Sequence, residues 1–168
     1  MDALILFSHG SLLCGSGEAL EAHAGRLRAR GDFPLVEIGY LNYTDPPFAE
    51  AVDRVAAAGA TRVVVAPYFL VTGYFVTTSL PREIAKAQAA HPHLEFVVAG
   101  ALGRDDALAD ALLHAASNPQ GPERWRDGLA RAARHCRPSP ECPLYGTPAC
   151  PKVPVAPDEA AAKEAVRA

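Results

Sequence analysis

The chain has 168 residues, of which 49% are hydrophobic and 21% are charged, and its formal net charge is −3. This composition is typical of one globular domain with its own core, and no apolar run reaches the roughly 18 residues that a membrane-spanning helix requires. A protein with this acidic balance lacks the basic face that phosphate binding requires, so we expect no nucleic-acid partner. The amino terminus carries no basic segment of the secretory type, and we expect a cytoplasmic protein.

Four apolar runs of strand length alternate with four segments of helical periodicity in the first 116 residues. The predicted strands are residues 3–8, 35–41, 62–67 and 94–99. The predicted helices are residues 18–30, 47–58, about 79–90 and 105–116, with Asp45 as a candidate cap for the second one. Strands that alternate with helices favour parallel pairing through right-handed crossovers. The sequence therefore predicts a three-layer α/β fold, in which a four-stranded parallel sheet is flanked by helices.

The last third of the chain has a different composition. A linker rich in turn-forming residues occupies 117–122, and helical patterns follow at 123–135 and 158–168. Between these two helical patterns, the chain is too rich in proline for an ordinary helix or a central strand. We therefore predict an α/β domain over residues 1–116 and a Pro/Cys-rich C-terminal extension over residues 117–168.

Two loops are candidates for chemistry, because ligands of open parallel sheets bind where the strands end. Ser8, His9, Gly10 and Ser11 follow the first strand, and an aromatic-rich loop from Tyr68 to Thr78 follows the third. A neutral imidazole can bind a borderline divalent metal or accept a proton, and the glycine beside His9 would let a flat ligand approach the backbone. The alternative is that His9 is only a loop residue that hydrogen-bonds to its neighbours.

The cysteines form a second candidate metal site. Cys14 follows His9 in the same loop, while His135, Cys136, Cys142 and Cys150 lie in or beside the proline-rich segment. Thiolates bind soft and borderline metals, so these residues could hold a metal ion or an iron–sulfur cluster. Their spacing matches neither a zinc ribbon nor a common ferredoxin. A set of ordinary reduced thiols is the alternative.

Three blocks of sequence resemble one enzyme family, in order and with its spacing. They are LILFSHGS, VEIGYLNYTDPPFAEAV and VVVAPYFLVTGYFVTTSLP, within residues 3–116. This part of the chain resembles the class II chelatases of tetrapyrrole synthesis, specifically the small sirohydrochlorin chelatases. The resemblance implies insertion of Co²⁺ or Fe²⁺, with the metal as a substrate, into a sirohydrochlorin-type tetrapyrrole for cobalamin or siroheme. It also implies a homodimer or pairing with another chelatase unit.

The resemblance assigns roles to individual residues and shows where this chain departs from the family. His9 matches the first metal-binding histidine, and Ser8, Gly10 and Ser11 match its loop. The departures are Phe75 at the second histidine position, Ser79 at an acidic position, Asn42 at a usual glutamate and Leu12 at a usual arginine. The aromatic loop is expected to contact the macrocycle through Tyr68, Phe69, Gly73, Tyr74 and Phe75.

The missing imidazole leaves two further hypotheses open. The chain could be a non-catalytic relative that carries metal or tetrapyrrole through His9 and the C-terminal cysteines. It could also be a structural half of a hetero-oligomer.

Overall fold

A computed structural model describes residues 1–10, 16–121, 137–147, 150 and 152–153. The strands are β1 (Asp2–Ser8), β2 (Leu35–Tyr40), β3 (Arg62–Pro67) and β4 (Glu95–Val98). The helices are α1 (Ser16–Arg30), α2 (Phe48–Ala57), α3 (Leu80–Ala90) and α4 (Asp106–Ser117). All strand pairs are parallel and the order is β2-β1-β3-β4, so the predicted four-stranded parallel sheet with flanking helices is confirmed.

The core lies on both faces of the sheet, as the continuous apolar strands predict. On one face, Ile5 and Phe7 of β1 pack in a cluster with Val52 of α2 and Leu80 of α3. On the other face, the cluster contains further β1 and β2 side chains together with α1 residues; its buried members are Leu4, Leu6, Leu20, Ala24, Val36, Ile38 and Tyr40. The two clusters make the three layers of the fold, with the central strand β1 buried between them.

The fourth helix differs from the other three in its packing. Its N-terminus is capped by Asp105, whose Oδ1 accepts a hydrogen bond from the Ala107 amide at 2.9 Å. Nevertheless, Leu112 and Leu113 are 63% and 68% exposed. The predicted helix is therefore present, but these two leucines are not buried by the described part of the chain. No helix in the described part of the chain is long and apolar enough to cross a membrane.

Two local predictions are wrong. Asp45 does not cap α2, because the residue at the helix N-cap is Pro47 and makes no side-chain capping bond. Asp45 instead precedes Pro46 in a cis peptide bond. The aromatic loop is also shorter than predicted, since a π-helical turn over Phe75–Ser79 leads directly into α3. The predicted helical patterns at 123–135 and 158–168 lie outside the described residues.

Candidate functional site

The candidate site lies at the edge of the sheet where β1, β2 and β3 end. The loop after β1 is joined to the loop after β2 by backbone hydrogen bonds, in which the Leu41 and Asn42 amides donate to the Ser8 and His9 carbonyls at 2.9 Å each. These bonds continue the pairing of β1 and β2 beyond the strands. They fix His9 against Asn42. Local sequence patterns alone do not indicate this contact.

Gly10 is required at its position by this close approach of two loops. Its φ angle is +84°, and a Cβ atom placed on it would lie 1.7 Å from the Asn42 carbonyl oxygen. Any other residue would therefore meet both backbone strain and a collision with the neighbouring chain. The space that a side chain would take is occupied by the backbone of Asn42, while the approach of a flat ligand to this glycine stays a prediction.

The two ring nitrogens of His9 have different partners. Nδ1 lies 3.1 Å from the Gly10 carbonyl oxygen, and Nε2 lies 3.3 Å from the Asn42 side-chain nitrogen. A carbonyl oxygen only accepts, so Nδ1 carries the proton in this arrangement and Nε2 accepts from the Asn42 amide. The imidazole is thus held as the tautomer whose Nε2 lone pair is available to a metal or a proton once the amide turns aside.

Phe75 lies directly against His9, at the position where the resemblance places a second histidine. The two ring centroids are 4.1 Å apart. Phe69 extends this apolar surface, since its ring lies 6.1 Å from that of Phe75 at an interplanar angle of 28°. The structure therefore brings His9, Phe69 and Phe75 together into one surface of an imidazole and two phenyl rings.

The other predicted aromatic contacts are more peripheral. Tyr74 is 62% exposed, and its ring lies 6.0 Å from that of Phe75. The ring of Tyr68 lies 5.5 Å from that of His23 on α1. A Cβ atom on Gly73 would meet nothing within 4 Å. Ser79 closes the π-helical turn and makes no side-chain capping bond to α3.

The predicted cysteine site is only partly within the described residues. Ser11, Leu12, Cys14, His135 and Cys136 lie outside them. Cys142 is half-buried and Cys150 is buried. Among the residues that the structure describes, no group of three or more His, Cys, Asp or Glu side chains could hold a metal ion.

Cys150 has an environment that favours its thiolate. The Val153 amide lies 3.3 Å from its Sγ atom. Burial acts to raise the pKa of this thiol, but backbone N–H groups of Lys152, Val153 and Gly146 together outweigh burial and lower the pKa below its usual value. Such N–H groups stabilise negative charge on sulfur.

Tyr43 is a site residue that sequence reasoning missed. It adopts a φ angle of +55°, which is uncommon for a residue other than glycine. Its ring lies 6.1 Å from that of His9. Its hydroxyl donates to Glu141 Oε2 at 2.9 Å, and this bond, with smaller effects of burial and of the Glu141 charge, raises the pKa of Tyr43. The only sequence signal near Tyr43 is the group of turn-forming residues in YLNYTDP, which indicates a turn but not a site.

Comparisons with known proteins point to one family. The sequence profile of the CbiX family matches residues 3–118. A sirohydrochlorin cobaltochelatase of Methanocaldococcus jannaschii is 38% identical over 91 residues, which are 54% of this chain and 64% of that protein. A sirohydrochlorin ferrochelatase of Priestia megaterium is 26% identical over 113 residues, which are 67% of this chain and 42% of that protein. The matched part of the chain thus spans less than two thirds of the length of these relatives.

A solved structure shows the same fold. The sirohydrochlorin chelatase SirB of Bacillus subtilis subspecies spizizenii, determined in complex with cobalt, has a TM-score of 0.65 and is 23% identical; the alignment covers 77% of this chain and 60% of that one. The family profile covers well over half of the present sequence, including β1 with His9, β3 and the segment that carries Phe75. The chain therefore belongs to the CbiX family.

Proposed function

We propose that this protein is a sirohydrochlorin chelatase, an enzyme that inserts Co²⁺ or Fe²⁺ into a sirohydrochlorin-type tetrapyrrole. The observation that carries this function is the orientation of His9 at the end of the sheet, where its ring lies beside that of Phe75 and its Nε2 lies against the Asn42 amide. The names of the relatives from Methanocaldococcus and Priestia support the reaction and both metals. Membership of the CbiX family supports it independently of those names.

Each site residue has a different role in the proposed reaction. Insertion of a divalent metal displaces two protons from pyrrole nitrogens, and a neutral imidazole can accept them one at a time and pass them to water. His9 is the group that accepts these protons or holds the metal ion as it enters. Phe75 and Phe69 supply flat apolar surface, on which the tetrapyrrole stacks. Asn42 releases Nε2 when its amide turns away.

Pairing of two units is part of this proposal. One chain supplies one imidazole, and a second copy or another chelatase unit facing it would enclose the other side of the macrocycle. The exposed Leu112 and Leu113 of α4 support pairing, because large apolar patches are commonly covered in an assembly. Light scattering would distinguish the 17.7 kDa monomer from a dimer of twice that mass.

The domain division and the location of the protein stay predictions. We propose that residues 1–116 form the chelatase domain, that 117–168 form an appendage, and that the protein works in the cytoplasm.

The carrier function is less favoured, because the named relatives are chelatases. The thiolate-stabilising environment of Cys150 is the observation in favour of metal at the C-terminal cysteines, and an iron–sulfur cluster there stays a prediction. Exchange of Cys142 and Cys150 for serine should abolish metal binding if the cysteines carry the metal, and should leave insertion unchanged if His9 is the working group.

The proposed reaction is tested by anaerobic insertion of Co²⁺ into sirohydrochlorin, followed by absorbance. We expect the unaltered protein to exceed the spontaneous rate and His9→Ala to lose about 10²-fold or more of that excess, the range typical of a lost acid–base group. His114→Ala, at an exposed position on α4, is the matched control and should keep the full rate. A protein that shows no excess over the spontaneous rate would contradict the proposal.

A further inference from the structure

The C-terminal extension returns to the candidate site instead of extending away from it. The segment of residues 137–147 contacts the loop after β2, mainly at Tyr43. The Arg137 amide donates to the Tyr43 carbonyl at 3.0 Å, and the Tyr43 hydroxyl donates to Glu141 Oε2 at 2.9 Å. Arg137 Nε also lies 3.9 Å from Asp45 Oδ1 in the same loop. Three contacts of different kinds therefore hold this segment to a single turn.

That turn is a wall of the His9 site. Tyr43 directly follows Asn42, whose amide lies against His9 Nε2, and the Tyr43 ring itself lies edge-on to the imidazole, 6.1 Å away. The opposite end of the same ring bonds to Glu141. A single tyrosine side chain thus separates the extension from the imidazole, and a movement of Glu141 would be passed to the ring that faces His9.

The backbone of Tyr43 adopts a conformation that tyrosine disfavours, so its neighbours must hold it there. A φ angle of +55° is unfavourable for a tyrosine, and such positions persist only where the surrounding structure holds them. The carbonyl bond from Arg137 and the hydroxyl bond to Glu141 act on the two ends of this residue. Residues 137–147 also lie beyond residue 118, where the match to the family profile ends.

We propose that residues 137–147 form a wall of the tetrapyrrole site and that Tyr43 is a positioning residue, held by Glu141, that sets how tightly the pigment binds beside His9. This inference rests on the proposed function, since it names sirohydrochlorin as the ligand. It assigns to the extension a part in substrate binding that is separate from any role of its cysteines.

Two measurements on the full chain test the proposal. Hydrogen–deuterium exchange of residues 137–147 reports whether the hydrogen bond holds the segment, and titration of metal-free sirohydrochlorin, followed by absorbance, reports binding. In Tyr43→Phe and Glu141→Ala we expect exchange of the segment to be about threefold to tenfold faster and the dissociation constant of the pigment to rise by a similar factor, the range of one hydrogen bond. In cobalt insertion, KM should rise while kcat stays within about twofold.

Three further variants separate positioning from a loss of structure. Glu141→Gln keeps an oxygen that accepts from the tyrosine hydroxyl, and it should retain most of the pigment affinity. The double variant Tyr43→Phe with Glu141→Ala should be no worse than either single variant, because both remove the same bond. Tyr145→Phe removes the hydroxyl of another, exposed tyrosine of the same segment and should match the unaltered protein in both measurements.

The outcomes distinguish this inference from the proposed function. If the segment exchanges faster in Tyr43→Phe while pigment binding is unchanged, residues 137–147 are not a wall of the site and the inference is overturned. Unchanged exchange would overturn it as well, because the bond would then not hold the segment. If the unaltered chain binds no sirohydrochlorin, the proposed function fails together with the inference.

Discussion

The two sides of the candidate site are built in different ways. The His9 side consists of polar groups that are fixed by directional bonds, since both ring nitrogens and the His9 carbonyl have hydrogen-bond partners. The Phe75 side consists of aromatic rings that meet by non-directional contact, with Phe75 between His9 and Phe69. One side thus fixes the orientation of an imidazole, while the other presents an apolar aromatic surface.

The rigidity of the His9 side is tested most strongly at Gly10. In Gly10→Ala we expect the free energy of unfolding to fall by about 2–4 kcal/mol, from the left-handed φ angle together with the collision of the new Cβ with Asn42. Urea denaturation measures this change. Gly73→Ala, where a Cβ meets nothing within 4 Å, should stay within about 0.5 kcal/mol of the unaltered protein. Equal effects of the two variants would show that the His9 loop is not rigid.

A histidine at position 75 would make the aromatic side of the site more like the His9 side, because both would then carry an imidazole. Phe75→His places a metal ligand beside His9, where the present centroid distance is 4.1 Å. We expect turnover in cobalt insertion to rise by about tenfold, since a second ligand at this distance can share the incoming ion. Phe75→Leu keeps the position apolar and should give no such rise. A rate in Phe75→His no higher than in Phe75→Leu would mean that the aromatic side is required as it is.

Asn42 tests whether the amide competes with a metal for His9. Asn42→Ala and Asn42→Asp both remove the donor to Nε2, but only the aspartate adds a negative charge beside it. We expect the dissociation constant for Co²⁺, measured by calorimetry, to fall by about twofold to fivefold in the alanine variant and by about tenfold in the aspartate variant. Weaker binding in both variants would show that the amide orients the imidazole more than it competes.

The smallest expected effect is a pH dependence of folding stability that arises from Tyr43, at the edge of the His9 side. The pKa of Tyr43 is raised above the ordinary value of 10.0, so the folded state retains its proton more strongly than the unfolded chain does. The stabilisation is fully present below pH 10 and is lost as the pH rises through the folded pKa. The difference in melting temperature between the unaltered protein and Tyr43→Phe should therefore be larger at pH 8 than at pH 11. A constant difference would contradict this reasoning.

The fold could be predicted because its signals are local. Apolar runs such as 62–67 are continuous, and the helices between them begin and end at recognisable residues, for example Gly31, which takes a φ angle of +75° directly after α1. The exposure of Leu112 on α4 could not be predicted, since helical periodicity indicates an apolar face but not what covers it.

The site could be predicted only in part. The sequence placed His9 at the end of β1 and marked Phe75 and Asn42 as unusual, but the contacts among these three residues depend on how the loops meet. The close approach of Gly10 to the second loop could not be predicted, because the nearby atom comes from residue 42, far along the chain. The pairing of Tyr43 with Glu141 joins residues 98 positions apart, and no local pattern indicates such a contact.

Gly103, like Gly10, lies tightly against the backbone of a neighbouring loop. A Cβ on Gly103 would lie 1.8 Å from the Leu70 carbonyl oxygen, and the Leu102 amide donates to Phe69 at 2.8 Å, so the loops after β3 and β4 are joined much as those after β1 and β2 are. The site edge thus consists of two stiff pairs of loops that meet where the rings of His9 and Phe75 touch. The two pairs are also joined to each other where β1 and β3 end, since the Tyr68 amide donates to the Phe7 carbonyl at 2.7 Å. A planar guest that entered between the rings of His9 and Phe75 would therefore displace a non-directional contact, while the hydrogen bonds within each pair of loops could stay in place.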